Sequence, residues 1–577
     1  MAKRIILVGR WESIEPLGIL YLIGIAHQLG WDCRVHLIQE GNFSPLIQEV
    51  KDFRPDLVGF SIWTGWHRQA FEAADQVMRM GVKVAIGGPH ATYFTKECEH
   101  HANWVVRAEG FRSFRRLLEG ELGSGVHFDK VRMAEGFPRP QRQIVYNRYP
   151  HLAESPIKSI MCTVGCPFTC SYCYAPAYNG IYGGFELNIR PVREIIEEAV
   201  WIRDHYPLSL IYMQDDIFGY NLPWLEEFAR RWREEVRVPI HAQIRLELTR
   251  NTKRLDLFRE AGLTGITLAI EHGDPWMRQY VLHRPMIEDL IDEGIQKLYD
   301  REFTLRTEQI YAVTLSDIQS DLTTLEMNVR LNPTMMWTSI LAPYQGTEMG
   351  DLASALGVYR GNNDDLSETF FERSVLTQVA GGKLPFEDAV ISLAKDPKDN
   401  PLLRMKAHLR GDLEADVFYG DETKPLVQIQ YLDRDAGERY RDQTVMLQRL
   451  SYWLSKVHQG HELAAEFLNL PSSDWTWPRL GEMTGRHLDR LGLREQREGY
   501  VHELTAQYGS DHLPGWIREN PYYFAYMPAG AELAKVFEEA RFTDEFDWRI
   551  LGTHTRHHLF HYGLYLTKAG PSPIVTR

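Results

Sequence analysis

The sequence has little cysteine, no long apolar run and no excess of positive charge, and each shortage excludes something. Six cysteines in 577 residues are too few to staple a chain of this size, so a disulfide scaffold is excluded. The longest apolar run, Leu17 to Ala26, is about half of what a membrane span needs. The start, MAKRIILVGR, holds only a four-residue apolar stretch, which makes no signal-peptide core and gives a cytoplasmic protein as the expectation. Lys and Arg number 64 against 78 Asp and Glu, a net charge of −14. Phosphate neutralisation needs clustered cations, so a general nucleic-acid binder is disfavoured.

What is present is ordinary globular composition in a chain too long for one core, with about three or four domains as the expectation. The first 120 residues alternate β-rich runs (RIILVG, CRVHLI, DLVGFSI, KVAIGG, WVVRAEG) with helical stretches, the pattern of a parallel α/β sheet. Ligands of such sheets sit beyond the carboxyl ends of the strands, here Ser61 to Gly65, Gly87 to His90 and Glu109-Gly110. A second β/α series begins at Lys158 and offers six strand candidates: SIMCTV, LSLIYMQ, IHAQI, GITLAIE, TLRTEQIYAV and MMWTSILA. Six parallel strands with intervening helices predict a partial β/α barrel. From about residue 380 the pattern is mostly helical.

Four of the six cysteines fall within twelve positions, and Cys166, Cys170 and Cys173 have the spacing C-x3-C-x2-C in a loop after the first strand of the second series. Three thiolates can hold three irons of a cubane and leave the fourth open to an exchangeable ligand. The alternative is a closed zinc site with Cys162 as a fourth ligand.

This motif, with Tyr172 in its aromatic position, resembles that of the radical S-adenosylmethionine (SAM) superfamily. The resemblance implies a [4Fe-4S] cluster on Cys166, Cys170 and Cys173, with SAM on the open iron and Tyr172 beside the adenine. It further implies Asp216 after the second barrel strand as a polar contact, Arg245 after the third as a clamp on the SAM carboxylate, and Glu271 at the end of the fourth as a ribose-side acid. Taken singly, such residues are as readily a helix cap, a solvated cation and an exposed acid.

The first domain, with PDLVGFSIWTGWHRQA, KVAIGGPHATYF and VVRAEG, resembles the cobalamin-binding domain of cobalamin-dependent radical SAM methyltransferases. By that resemblance Ser61, Thr64, Gly65, Gly87, Gly88, Pro89, Glu109 and Gly110 line the corrinoid. The D-x-H-x-x-G signature of other cobalamin proteins is missing, so cobalt has no signature histidine. Two readings of His67 and Arg68 follow: Arg68 faces the lower side of cobalt as part of the catalytic set, or both residues begin a helix and point to water.

The implied architecture is α/β: an N-terminal Rossmann-like cobalamin-binding domain (1–125), a linker (126–157), a central partial (β/α)6 radical SAM barrel (158–379) and a mostly helical C-terminal domain (380–577) that covers the barrel. The implied activity moves a methyl group from SAM through methylcobalamin to an unactivated carbon of a small molecule, with tryptophan in antibiotic biosynthesis as one acceptor. Arg68, Glu271 and Tyr311 are the expected catalytic residues, and flavodoxin or ferredoxin the expected reductant. A ring-forming or ring-contracting enzyme of the same superfamily and a non-catalytic cobalamin-binding or redox-sensing protein remain the alternatives; a methylthiotransferase would need a second cluster, for which Cys33, Cys98 and Cys162 are too dispersed. One departure stands out. Where family members carry a glycine-rich turn after the fifth strand, this chain reads Tyr311-Ala-Val-Thr-Leu-Ser-Asp. The run Thr553 to His561 holds polar groups able to bind an anion or metal, though a surface strand is the simpler reading.

Overall fold

The computed structural model describes residues 2–11, 15–39, 41–155, 157–367, 373–376, 388–392, 426–430, 434–455 and 457–493. Its first sheet is six-stranded and parallel, with β1 (Arg4–Arg10), β2 (Asp32–Ile38), β3 (Leu57–Ser61), β4 (Lys83–Gly87), β5 (Trp104–Val106) and β6 (Gly125–His127) in the order β2-β1-β3-β4-β5-β6. The order reverses between β1 and β3, the switch point at which open α/β sheets bind ligands. Five of the six strands were legible. The sixth straddles the boundary expected at 125/126, and the segment read as a linker is part of this domain's core: its helices Arg142–Arg148 and Pro150–Glu154 bury Val145, Tyr146 and Leu152 against Leu20, Ile23 and Phe111.

The second sheet runs β7 (Ile157–Ile160), then, past the short antiparallel pair β8 (Thr163–Val164) and β9 (Asn188–Ile189), β10 (Leu210–Met213), β11 (Ile240–Ile244), β12 (Leu263–Glu271), β13 (Thr304–Tyr311) and β14 (Met335–Ile340). Its order, β7-β10-β11-β12-β13-β14, is sequential and every pair is parallel, the curled half-barrel that the sequence predicts. Alternate residues separate the two faces. Ile211, Met213, Ala242, Ile244, Leu268 and Ile270 pack in one core with the surrounding helices, whereas Tyr212, Gln243, His241 and Thr267 turn the other way and bond to one another. The inner face is therefore a polar lumen.

A fully buried ion network joins the two domains. Arg142 donates to Glu15, to Glu198 (2.7 Å) and to the Ser159 carbonyl (2.7 Å), and Arg190 holds the other oxygen of Glu198 (2.8 Å). Removing one member of such a network leaves an uncompensated buried charge, at a cost of about 3–5 kcal/mol. Helices Arg434–Leu454, Gly460–Leu468 and Trp477–Arg490 follow the barrel. Residues Asp388–Ser392 and Leu426–Gln430 form an antiparallel pair inside the region read as helical. The first of those helices covers β14 and carries a stripe of Tyr440, Thr444, Gln448 and Ser451. These bond, in order, to Asp321, to Asp321, to Thr338 and to Tyr311. Among the described residues no helix is long and apolar enough to cross a membrane. The Thr553–His561 run lies outside the described residues.

Candidate functional site

The three cysteines sit where the sequence places them, on the loop beyond β7. Asp215 and Asp216, just past β10, hold the start of that loop. Asp215 accepts from Thr163 Oγ1 (2.5 Å) and the Cys162 amide (3.3 Å), and Asp216 from the Gly165 amide (3.1 Å). Burial pushes Asp215 up to about 7. Asp216 is accessible but hemmed in by protein, and that dehydration raises its pKa as well. Asp216 is thus a loop anchor as well as a polar group facing the cleft.

Sulfur is met by positive charge. Arg245 Nη1 lies 3.3 Å and Arg284 Nη1 3.6 Å from Cys170 Sγ, and the Ala175 amide donates to Cys173 Sγ (3.4 Å). Cations and N–H donors stabilise thiolate. A single zinc ion would draw its sulfurs to about 3.8 Å of one another, given Zn–S near 2.3 Å. Among the described residues only His67, His90 and Glu97 bring three such ligand atoms within even 4.8 Å of one another. Cys162 points away, fully buried with its thiol on Met213 Sδ (3.6 Å), so the zinc alternative has no fourth ligand. Three separated thiols backed by two guanidinium groups fit a cubane held by three cysteines.

The layer beneath the loop corrects one expectation. Arg245 stays beside the cysteines, but its fork is taken by Glu247, Nη2 to Oε1 at 2.6 Å and Nε to Oε2 at 3.1 Å, and its face lies over Phe168 at 3.8 Å. It is not a free clamp for a carboxylate. The sequence reading missed Arg284, which reaches Cys170, the Tyr172 hydroxyl (3.5 Å), the Ala269 carbonyl and Glu271 (3.8 Å), and whose Nε is buried without a partner. Nothing local marks His283-Arg284-Pro285. The R-x-E spacing of Arg245 and Glu247 was a readable sign of their pairing. Glu271 sits at a register shift between β12 and β13 with φ of 76°, a left-handed conformation that aims its carboxylate and stores strain of about 1–3 kcal/mol. Tyr172 donates to it. Burial raises the Glu271 carboxyl against the opposing pull of Arg284.

Tyr311 lies elsewhere. Its hydroxyl meets Ser451 Oγ (2.7 Å) and its ring is packed with Leu322, Leu325 and Met336, so this tyrosine is spent on joining barrel to C-terminal helix. The loop after it keeps a glycine-like backbone without glycine: Ala312 has φ of 51° and Leu315 of 77°. Asp321, fully buried, accepts from the Ala312 amide (3.3 Å) and from Tyr440 Oη (3.0 Å), and Tyr440 also meets Ser316 Oγ (3.0 Å). Tertiary bonds thus hold a shape that the local sequence disfavours.

The carboxyl edge of the first sheet faces the cysteine loop and the helix that follows it. Gly88 has φ of 95°, and a Cβ there would lie 2.6 Å from the Ile62 carbonyl. A narrow cavity runs from this edge into the sheet, lined by Gly59, Ser61, Gly87, Gly88, Glu109 and Gly110 among others. Glu109 accepts from Tyr182 through one oxygen, while the other, Oε1, is buried without a partner. A glycine-lined slot ending in an unsatisfied acceptor fits a ligand tail bearing amide donors, as cobalamin does. Pro89 opens the short helix Pro89–Tyr93, and Thr64 Oγ1 bonds His90 Nδ1 (2.9 Å). Gly65 donates to His67 Nδ1 (3.1 Å), which puts the His67 proton on Nε2 and against Asp364 (3.1 Å). His67 therefore offers no lone pair to cobalt or to a metal shared with His90. Both it and Arg68 begin the helix His67–Arg79; His67 is buried, and Arg68 is 59% exposed, 4.0 Å from Asp364. The two edges meet: Tyr93 of the first domain stacks on Tyr174 of the cysteine loop at 3.9 Å and 8°.

The family described as "B12 binding domain" matches residues 4–118, and "Radical SAM superfamily" matches residues 160–308. An uncharacterized methyltransferase of Pyrococcus horikoshii, PH0819, is 27% identical over 296 residues, covering 46% of this chain and 62% of its own. The cytidylyl-2-hydroxyethylphosphonate methyltransferase of Streptomyces wedmorensis is 23% identical, covering 47% of this chain and 64% of its own. The chain thus spans a little under two thirds of the length of either relative. Among solved structures, the cobalamin-dependent SAM radical enzyme OxsB, with aqua-cobalamin and SAM bound, superposes with a TM-score of 0.52 at 13% identity, over 98% of this chain and 80% of its own, a likeness of fold. The chain therefore carries a match to a B12-binding domain followed by a match to a radical SAM domain, and the groups that go with these two domains are cobalamin, a [4Fe-4S] cluster and SAM.

Proposed function

We propose that the chain is a methyltransferase that carries a methyl group from SAM to a carbon of a small molecule. The observation that supports this reading is the facing of the two edges, cysteine loop against glycine slot, across the Tyr93–Tyr174 stack and the Tyr182–Glu109 bond. When bound, the cluster holds SAM and cobalamin relays the methyl group between donor and acceptor. The chain's own contribution is orientation, charge and exclusion of water. Cys166, Cys170 and Cys173 would hold the cluster; Tyr172, Glu271 and Arg284 would fix the nucleoside side of SAM; Gly87, Gly88 and Glu109 would hold the cobalamin tail. Glu271, with its raised pKa, is the group best placed to accept or return a proton near SAM. Arg68 and Tyr311 are each tied to a neighbour, and in this reading they act through structure. A flavodoxin or ferredoxin would supply electrons.

The test is anaerobic reconstitution with iron, sulfide and hydroxocobalamin, followed by incubation with methyl-labelled SAM and candidate acceptors, tryptophan included. About four irons and one cobalt per chain, S-adenosylhomocysteine and labelled acceptor are the expected result. Iron without cobalt, or cyclised product without label, would overturn it. The presence or absence of 5′-deoxyadenosine separates radical from polar transfer.

A further inference from the structure

In the barrel lumen, a group of inward positions below Glu271 is left half-buried. Ala269, Glu308 and Trp337 are half-buried on β12, β13 and β14, and Gln243 is half-buried on β11 one layer lower, opposite Thr267. Register puts Ala269 opposite Glu308 and Glu308 opposite Trp337, with Gln243 diagonal to Ala269, so the accessible positions form a slanted band. Gln214, just past β10, extends it. This patch is where a molecule entering beneath the cysteine loop would rest.

Its charge is one-sided. The amide nitrogen of Gln243 donates to Tyr212 Oη (2.7 Å) and that of Gln214 to Ser159 Oγ (3.3 Å), which takes one of the two N–H groups of each amide and leaves both amide oxygens as acceptors. Trp337 directs its N–H to Ser339 Oγ (3.3 Å). Each arginine of the lumen already has a carboxylate: Arg245 has Glu247 (2.6 Å), Arg284 has Glu271 (3.8 Å) and Arg306 has Glu308 (2.6 Å). Glu308 remains 24% exposed while its arginine is 8% exposed and lies over Trp337 at 4.3 Å. The cations are therefore spent and buried, and the Glu308 carboxylate oxygens, flanked by the amides of Gln214 and Gln243, are what an occupant meets. An anionic occupant would place its charge against these oxygens with no cation to answer it, whereas N–H and O–H groups would satisfy acceptors that otherwise lose water for nothing.

Resting on the methyltransferase reading, we infer that the methyl acceptor binds on Gln214, Gln243, Glu308 and Trp337. Its chemical class is a small molecule with an apolar or aromatic body and a cationic or donor-bearing polar end, with Glu308 taking that end. A carboxylate or phosphate, if the acceptor has one, stays outside this layer.

The test uses the protein reconstituted with cluster and cobalamin, in the presence of SAM, and three probes of one size: 2-phenylethylamine, 2-phenylethanol and phenylacetate. Dissociation constants are measured anaerobically by ligand-observed NMR. The expected order is amine, alcohol, acid, with at least tenfold between first and last. Glu308→Gln should bring the amine and acid within about threefold while leaving the SAM dissociation constant in place. Gln243→Leu, which keeps the Arg306–Glu308 pair intact, should weaken amine and alcohol by threefold or more and leave the acid unchanged. The inference is overturned if the acid binds as tightly as the amine, if none of the three saturates, or if Glu308→Gln shifts SAM affinity and not the amine's. Amine preference that depends on Glu308, without S-adenosylhomocysteine from any acceptor, would uphold the subsite and sink the methyltransferase reading.

Discussion

The two ligand edges of this chain face each other but are built differently. The first domain offers backbone: glycines at 59, 87, 88 and 110 and one carboxylate, Glu109, around a slot. The barrel offers side chains, nearly every charge of which is answered by another: Arg245 by Glu247, Arg284 by Glu271, Arg306 by Glu308. A backbone edge is fixed by the strands that carry it and fails where a side chain would strike backbone, as at Gly88. A side-chain edge is fixed by its pairings and fails when one partner is lost.

The largest effect should come from Cys170→Ser, which is expected to take bound iron from about four to below one per chain. Cobalamin uptake should be unchanged, and its loss as well would break the separation of the two edges. Gly88→Val should do the reverse. With φ of 95° and a Cβ 2.6 Å from the Ile62 carbonyl, it forces a shift of backbone, and cobalamin affinity should fall about a hundredfold, near 3 kcal/mol, with iron retained. Tyr440→Phe removes one bond to Asp321 and one to Ser316 and should cost about 1–2 kcal/mol, seen as a lower urea midpoint and weaker SAM binding at constant iron content.

A further effect concerns pH. Burial, then the neighbouring His90, lowers His67 from 6.5 to about 4. Between these values the unfolded chain binds a proton that the folded chain refuses, so this contribution to stability is present above pH 6.5 and lost as pH falls toward 4. Melting curves of His67→Gln should be flatter than wild type across that window. Equal slopes would mean that the residue plays no part in acid sensitivity.

The cysteine motif and all six barrel strands could be read from sequence because both are local: three thiols in eight residues, and a period of two within each strand. Glu271 was legible as the last residue of a strand. What escaped reading comes from chain folding back over long separations. Arg284 meets Cys170 across 114 residues, Tyr182 meets Glu109 across 73, and Asp364 meets His67 across 297. No periodicity records such meetings. Arg245 is instructive in another way, because position told where it would be and not that Glu247, two residues on, would occupy it. The missing glycines after β13 pointed to an altered loop, yet the left-handed conformations remain at Ala312 and Leu315, imposed by Asp321 and Tyr440.

That brace bears on how the chain can change through descent. A loop whose own residues specify its shape can be inherited or exchanged as a short cassette. This one owes its shape to a carboxylate on the helix Ile318–Leu331 and a hydroxyl on the helix Arg434–Leu454. The barrel and the C-terminal helix are thereby bound to travel together, and a recombination event near residue 379 would separate a loop from the instructions that fold it.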